Sequence, residues 1–375
     1  MDARIAQLLE QGQSVWQDDI SRDMIRSGEI QRIIDTGIRG LTSNPSIFEK
    51  AIAAGSAYDD DVQRMAGEGK DASAIFEAVA VQDIRDTCDL FLPLYESSGG
   101  TDGFVSIEVS PGAARHADRT RTEALALWKA VDRPNVMIKI PGTMEGSPII
   151  ADMITEGINI NVTLLFSLDS YERVALAYIE GLERRHAAGK PVSGIASVAS
   201  FFVSRVDALV DKLVDEKIAA TGNEGLADLK GKAAIANAKL AYERFGELFG
   251  TGNERWAPLA AAGAAVQRPL WASTSVKNPS YRDVLYVEEL VGPHTVNTMP
   301  RPTIQSFIDH GESARTVDAD LGGSHAVMAA LAAAGIDIVA VTDQLEDEGI
   351  KSFEKSYDAL LAGVESKRSM FAVAD

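Results

Sequence analysis

Residues 135–141 read NVMIKIP. Short apolar runs rich in β-branched residues mark strands buried on both faces, and a proline just beyond the run marks its end. The anomaly is Lys139, a charge set near the C-terminal end of such a run. A lysine at a strand end ordinarily snorkels to solvent. Working outward, seven more runs of the same kind recur: Ser14–Gln17, Ile38–Thr42, Phe104–Val109, Ile158–Thr163, Gly194–Ala199, Pro269–Ser273 and Thr295–Thr298. Between them apolar residues fall at helical spacing, as in Phe76, Ala80, Ile84 and Cys88, then Val206, Leu209 and Leu213, then Ala241, Phe245 and Phe249. Each set lies along one face of a helix. Strands alternating with helices pair in parallel through right-handed crossovers, and eight such units suffice to close a (β/α)8 TIM barrel.

An open doubly wound sheet is the alternative, but no G-x-G-x-x-G follows the first strand. Ile336–Thr342, IDIVAVT, is as strand-like as any of the eight, and periodicity alone does not assign it. Beyond it, Phe353, Tyr357, Leu360, Leu361 and Val364 predict a terminal helix laid against the barrel. No linker composition or internal repeat interrupts the chain, so residues 1–375 read as one domain with extra helices.

The chain has 375 residues, 46% of them hydrophobic, with 36 Lys and Arg against 55 Asp and Glu, a formal charge of −19. That charge disfavours nucleic acid and anionic membranes as partners, so any bound phosphate must meet a local pocket. One cysteine, Cys88, offers neither an internal disulfide nor a thiolate metal frame. The N-terminal residues do not read as a secretory signal, and no uncharged run reaches the length of a bilayer crossing. A cytoplasmic location is expected. The histidines at 116, 186, 294, 310 and 325 form no metal-binding spacing, so no metal site is expected.

In a barrel the C-terminal strand ends line the active site, which makes Lys139 a candidate nucleophile; desolvation favours the neutral amine that attacks a carbonyl. Other strand ends carry polar residues too: Asp18, then Thr42, Ser43 and Asn44, then Glu108, Asn161, Thr163, Ser200 and Arg205. Each has a structural explanation when taken alone. Asp18 suits a helix N-cap, Thr42–Pro45 a turn and cap, and Asn161 a loop residue that satisfies backbone groups. What connects them is that they fall at the same end of successive strands. Arg205, opening the helix after strand six, and Lys277, following strand seven, form the natural anion-binding pair, where barrels often hold phosphate.

These residues sit in six motifs in a fixed order: GLTSNPSIFEKAI at 40–52, VSIEVSP at 105–111, MIKIPGT at 137–143, INVTLLFS at 160–167, ASFFVSRVD at 199–207 and ASTSVKNP at 272–279. Together they resemble the transaldolases, specifically the longer microbial type, along the chain from the first strand to the terminal helix. The resemblance implies a barrel of the class I aldolase kind with no metal or organic cofactor. It implies transfer of a dihydroxyacetone unit between ketose and aldose phosphates in the non-oxidative pentose phosphate pathway. Lys139 matches the Schiff-base lysine and Asp18 the acid that moves the C4 hydroxyl proton. Glu108 and Thr163 match the pair that shuttles protons through a water. Asn44, Asn161 and Ser200 match the groups that hold the dihydroxyacetone hydroxyls, with Thr42 supporting them. Phe202 matches the aromatic that helps separate transfer from simple aldol cleavage, and Arg205, Ser275 and Lys277 the phosphate site.

The chain departs from the pattern at Lys277, where many members carry a second arginine, so charge is kept but the bidentate fork is lost. Ile107 and Val109, flanking Glu108, differ from some branches. Two rival readings are an aldolase of the same fold, which would release free dihydroxyacetone, and a catalytically silent barrel serving as a sensor or scaffold. Whether the protein is a monomer or a homodimer is not legible in the sequence.

Overall fold

The NVMIKIP run forms the fourth strand of a closed barrel, β4 (Val136–Pro141), with all six of its residues buried. The structure, a computed structural model, describes residues 1–53 and 55–372. The other strands are β1 (Gln13–Gln17), β2 (Gly40–Leu41), β3 (Phe104–Glu108), β5 (Ile160–Leu165), β6 (Ser197–Phe202), β7 (Gln267–Ala272) and β8 (Thr295–Met299). They pair in sequence order, and β8 closes in parallel on β1 from Gln13↔Thr295 to Gln17↔Met299. Helices stand between successive strands, as the alternation predicts for a (β/α)8 barrel.

Strand limits move where glycine closes a helix. Ile158 and Asn159 were expected to begin the fifth strand. Gly157 instead adopts φ +92°, and the Ile158 N–H bonds back to the Met153 carbonyl at 3.0 Å. That bond is the 6→1 closure of a Schellman motif, so the strand starts only at Ile160. Gly194, at φ +79°, lies in a turn well past the preceding helix, so β6 starts only at Ser197 and then runs on to Phe202. β7 begins earlier than expected, at Gln267 and Arg268, because polar side chains are buried at the foot of the barrel. Arg268 there crosses the interior to Ser14 Oγ at 3.0 Å, Asp102 Oδ1 at 3.2 Å and the Thr101 carbonyl at 2.7 Å.

Ile336–Thr342 is not a ninth strand. Gly335 at φ +71° ends the helix Leu321–Ala333, with the Ile336 N–H returning to the Leu331 carbonyl. Asp337 Oδ1 then accepts the N–H groups of Val339 and Ala340, which caps the helix Ile338–Ala372. Val341, Leu345, Phe353, Leu360 and Val364 of this terminal helix are buried. Their spacing, in steps of four and seven or eight, keeps one face on the molecule. The helix crosses the C-terminal end of the barrel, where a Cβ at Gly349 would stand 3.0 Å from Leu164 and 3.7 Å from Arg205. Among the described residues no single helix is long and apolar enough to cross a membrane; Leu321–Ala333 with Ile338–Phe371 passes only as a pair, bent by 91°.

Candidate active site

Register brings the first three site residues together. β3 and β4 pair Glu108 with Lys139, and β4 and β5 pair Lys139 with Asn161. Lys139 Nζ lies 3.1 Å from Glu108 Oε2, with the two side chains only 6% and 4% exposed. It also donates to the Ser43 carbonyl at 3.2 Å. The Phe353 ring of the terminal helix covers it, its centroid 5.9 Å from Nζ. The lysine therefore does not snorkel: its amine points into the barrel under an apolar lid. A buried charge without a partner is expensive, and Glu108 is that partner. Burial pushes the Glu108 carboxyl above its ordinary range; the ammonium opposes that shift, and the nearby Asp18 adds to it.

Around this pair the strand ends supply a polar ring. Asn161 Nδ2 donates to Ser106 Oγ at 3.0 Å, and Ser200 Oγ donates to Asn161 Oδ1 at 2.7 Å. The chain Ser106–Asn161–Ser200 thus links β3, β5 and β6, and Asn161 is a strand residue facing inward, not a loop residue. Thr163 Oγ1 is fully buried and meets no hydrogen-bond partner among the described residues. A buried hydroxyl in that condition invites a functional explanation.

Asp18 follows β1. Its N–H extends the barrel ladder to the Met299 carbonyl, and its Oδ1 accepts from Thr42 Oγ1 at 2.6 Å. Thr42 also meets Thr298 at 2.8 Å, which locks the ends of β1, β2 and β8 together. The capping explanation for Asp18 fails, because Ser21 caps the helix Arg22–Arg26. For Asn44 it holds: Oδ1 accepts the Ile47 N–H at 3.0 Å, the capping contact of the helix Pro45–Ala53, and the amide nitrogen is the donor it can offer a ligand.

The cations gather at the far rim. Arg205 stands in the first turn of the helix Ser204–Thr221, with its guanidinium 5.3 Å above the Phe202 ring. Phe202 is itself backed by Phe166 at 5.1 Å. Burial lowers the Arg205 pKa, and Glu348 is the acid that offsets this. Lys277 is exposed and donates to Ser275 Oγ at 2.7 Å. Its ammonium is held below the ordinary lysine value, first by partial desolvation and then by the positive charge of Arg205. Two cations that destabilise one another make a site suited to a doubly charged anion.

Ser106 and Thr298 are not singled out by the sequence, and Ser43 and Phe353 are named there without the contacts they make here. Ser106 lies two residues before Glu108 and so on the same strand face, a period-two signal that was available. Thr298 had the analogous signal at the end of β8. Ser43 contributes its carbonyl, which no side-chain pattern reveals. Phe353 was legible as helical, but its place over Lys139 was not.

The profile of the Transaldolase/Fructose-6-phosphate aldolase family matches residues 15–364. The chain is 50% identical over 359 residues to a transaldolase of Mycolicibacterium smegmatis, with 95% of each chain covered. It is 48% identical over 363 residues to a transaldolase of Trichodesmium erythraeum, with 95% of each covered. With a transaldolase of Mycobacterium tuberculosis it shares 48% identity over 359 residues, again 95% of each.

Proposed function

The chain belongs to the transaldolase/fructose-6-phosphate aldolase family, and on that premise we propose that it is a transaldolase working through a Schiff base on Lys139. It moves dihydroxyacetone between ketose phosphates (sedoheptulose 7-phosphate, fructose 6-phosphate) and aldose phosphates (glyceraldehyde 3-phosphate, erythrose 4-phosphate). The observation that carries this reading is the buried Lys139 amine, 3.1 Å from Glu108 at the C-terminal end of β4. The whole chain acts as one barrel domain in the cytoplasm, a reading supported by its net charge and its single, buried cysteine.

In this mechanism the Lys139 amine adds to C2 of the ketose, and the resulting carbinolamine loses water to give an iminium ion. Glu108, its carboxyl raised by burial, exchanges the protons of these steps through a water held with the unpartnered Thr163 hydroxyl. Asp18 takes the proton of the C4 hydroxyl, the C3–C4 bond breaks, and its electron pair flows to the iminium nitrogen. An aldose phosphate leaves and an enamine remains on Lys139. Asn44, through its amide nitrogen, and the Asn161–Ser200 pair hold its hydroxyls. Its C3 then attacks the carbonyl carbon of the acceptor, and Asp18 returns the proton. Arg205, Lys277 and Ser275 bind the phosphate. Phe353 shields the intermediate from water, which favours transfer over hydrolysis.

Borohydride reduction in the presence of fructose 6-phosphate, followed by peptide mapping, tests the assignment. One adduct on Lys139 is expected, lost in Lys139→Ala; an adduct elsewhere refutes it. A silent sensor would bind sugar phosphate with no trapped adduct. Turnover of fructose 6-phosphate that ignores added erythrose 4-phosphate would indicate the aldolase branch.

A further inference from the structure

The segment between β7 and β8 presents Ser275 and Lys277 at its start and is tied down further along by two tyrosines. Tyr286 Oη donates to Asp207 Oδ2 at 2.9 Å, and Tyr281 Oη donates to Asp211 Oδ2 at 2.6 Å. Both aspartates belong to the helix Ser204–Thr221, four residues apart on one face, and the same helix carries Arg205 in its first turn. Asp207 is 1% exposed and Asp211 8%. Each has a second donor from the far side: the Ala234 N–H to Asp207 Oδ1 at 2.7 Å and the Gly231 N–H to Asp211 Oδ1 at 2.9 Å. Gly231 adopts φ +70°, and a Cβ there would stand 2.8 Å from the Tyr281 ring, so the ring is seated against the backbone.

Burying two carboxylates side by side is costly, and the cost shows in Asp207, whose pKa burial pushes up to about 6. An apolar contact would hold a loop to a helix at lower cost, but it would not fix the register as two directional hydrogen bonds do. Register matters here because the outer cation is a lysine, a point charge on a flexible stem, without the fork that lets arginine orient itself on phosphate. Where Lys277 sits relative to Arg205 is therefore set by its backbone, against the repulsion between the two charges.

We propose that the pairs Asp207–Tyr286 and Asp211–Tyr281 form a clamp that fixes the backbone carrying Lys277 relative to Arg205, making these four residues positioning residues for recognition of the substrate's phosphate. The proposal rests on the phosphate site assigned above. Release of either pair lets the β7–β8 segment relax away from Arg205, which weakens phosphate binding and leaves the chemistry at Lys139 unchanged.

The test uses Tyr281→Phe, Tyr286→Phe and the double variant, with Arg205→Ala as the independent arm. The readouts are kcat and KM for fructose 6-phosphate and for unphosphorylated fructose, and competitive inhibition by inorganic phosphate. Loss of each hydroxyl is expected to raise KM for fructose 6-phosphate, and the inhibition constant for phosphate, about three- to tenfold, the factor that one ordinary hydrogen bond corresponds to. The expected kcat stays within about twofold, and the constants for fructose do not move. If Arg205→Ala raises the phosphate-dependent constants and the double variant does not, the clamp is refuted while the phosphate site stands. Equal losses for fructose and fructose 6-phosphate also refute it. If Arg205→Ala itself has no selective effect on the phosphate-dependent constants, the phosphate-site reading is the one that falls. Tyr281 is the less buried ring, so Tyr281→Phe decides the matter should Tyr286→Phe fail to fold.

Discussion

Phe353→Ala separates the lid from the chemistry beneath it. The ring is 7% exposed and sits 5.9 Å from Lys139 Nζ, so truncation removes a buried side chain and uncovers the amine in one step. Emptying a buried phenylalanine site costs about 4 kcal/mol. For a chain of 375 residues the unfolding entropy near the midpoint is about 0.8 kcal/mol/K, so Tm should fall by about 5 °C and the protein should remain folded at 25 °C. The functional effect is of another kind. An enamine that water reaches is protonated, and its Schiff base hydrolysed, before an acceptor arrives. Losing about 1.4 kcal/mol of protection raises that leak about tenfold. The assay is release of free dihydroxyacetone from fructose 6-phosphate, without and with erythrose 4-phosphate. The acceptor-independent fraction should rise about tenfold in Phe353→Ala and much less in Phe353→Leu, which keeps most of the cover. A 5 °C loss with an unchanged fraction would show that Phe353 packs the terminal helix but does not protect the intermediate.

At the opposite end of the barrel, Arg268→Met leaves Asp102 without its charge partner; the two side chains are only 11% and 14% exposed. The expected loss is about 3 kcal/mol in denaturant unfolding, with kcat and KM unchanged, and a kinetic effect would contradict the division between a supporting foot and a reacting rim. Asp207 predicts a pH dependence: its pKa lies at about 6 in the folded chain against an ordinary 3.8, so the native state holds that proton more tightly than the unfolded state does. The contribution is present at low pH and is lost as pH rises from about 4 through about 6, by up to roughly 3 kcal/mol. Asp207→Asn should lack that part of the slope, and parallel stability–pH curves for the two proteins would refute it.

The sequence alone determined that eight strands alternate with helices, because each apolar run must pair its backbone out of water and each helical stripe must cover it. It determined less about where strands begin. At Ile158 and at Ile336 an apolar run serves first to close the preceding helix past a left-handed glycine, and runs this short carry no period that separates this from a strand. Capping by Asp337, which is local chemistry, then turned the would-be ninth strand into the lid. Among the site residues, Lys139, Glu108, Asn161 and Thr163 were legible because a polar group in a strand core needs a reason to be there. What only the tertiary structure decided is their company. Parallel register sets Glu108 beside Lys139, the Ser43 carbonyl comes from another strand end, and Phe353 arrives from more than two hundred residues along the chain. Burial of the amine, its charge partner and its shield from water are properties of that assembly, since each depends on groups far apart in sequence that meet only when the barrel closes.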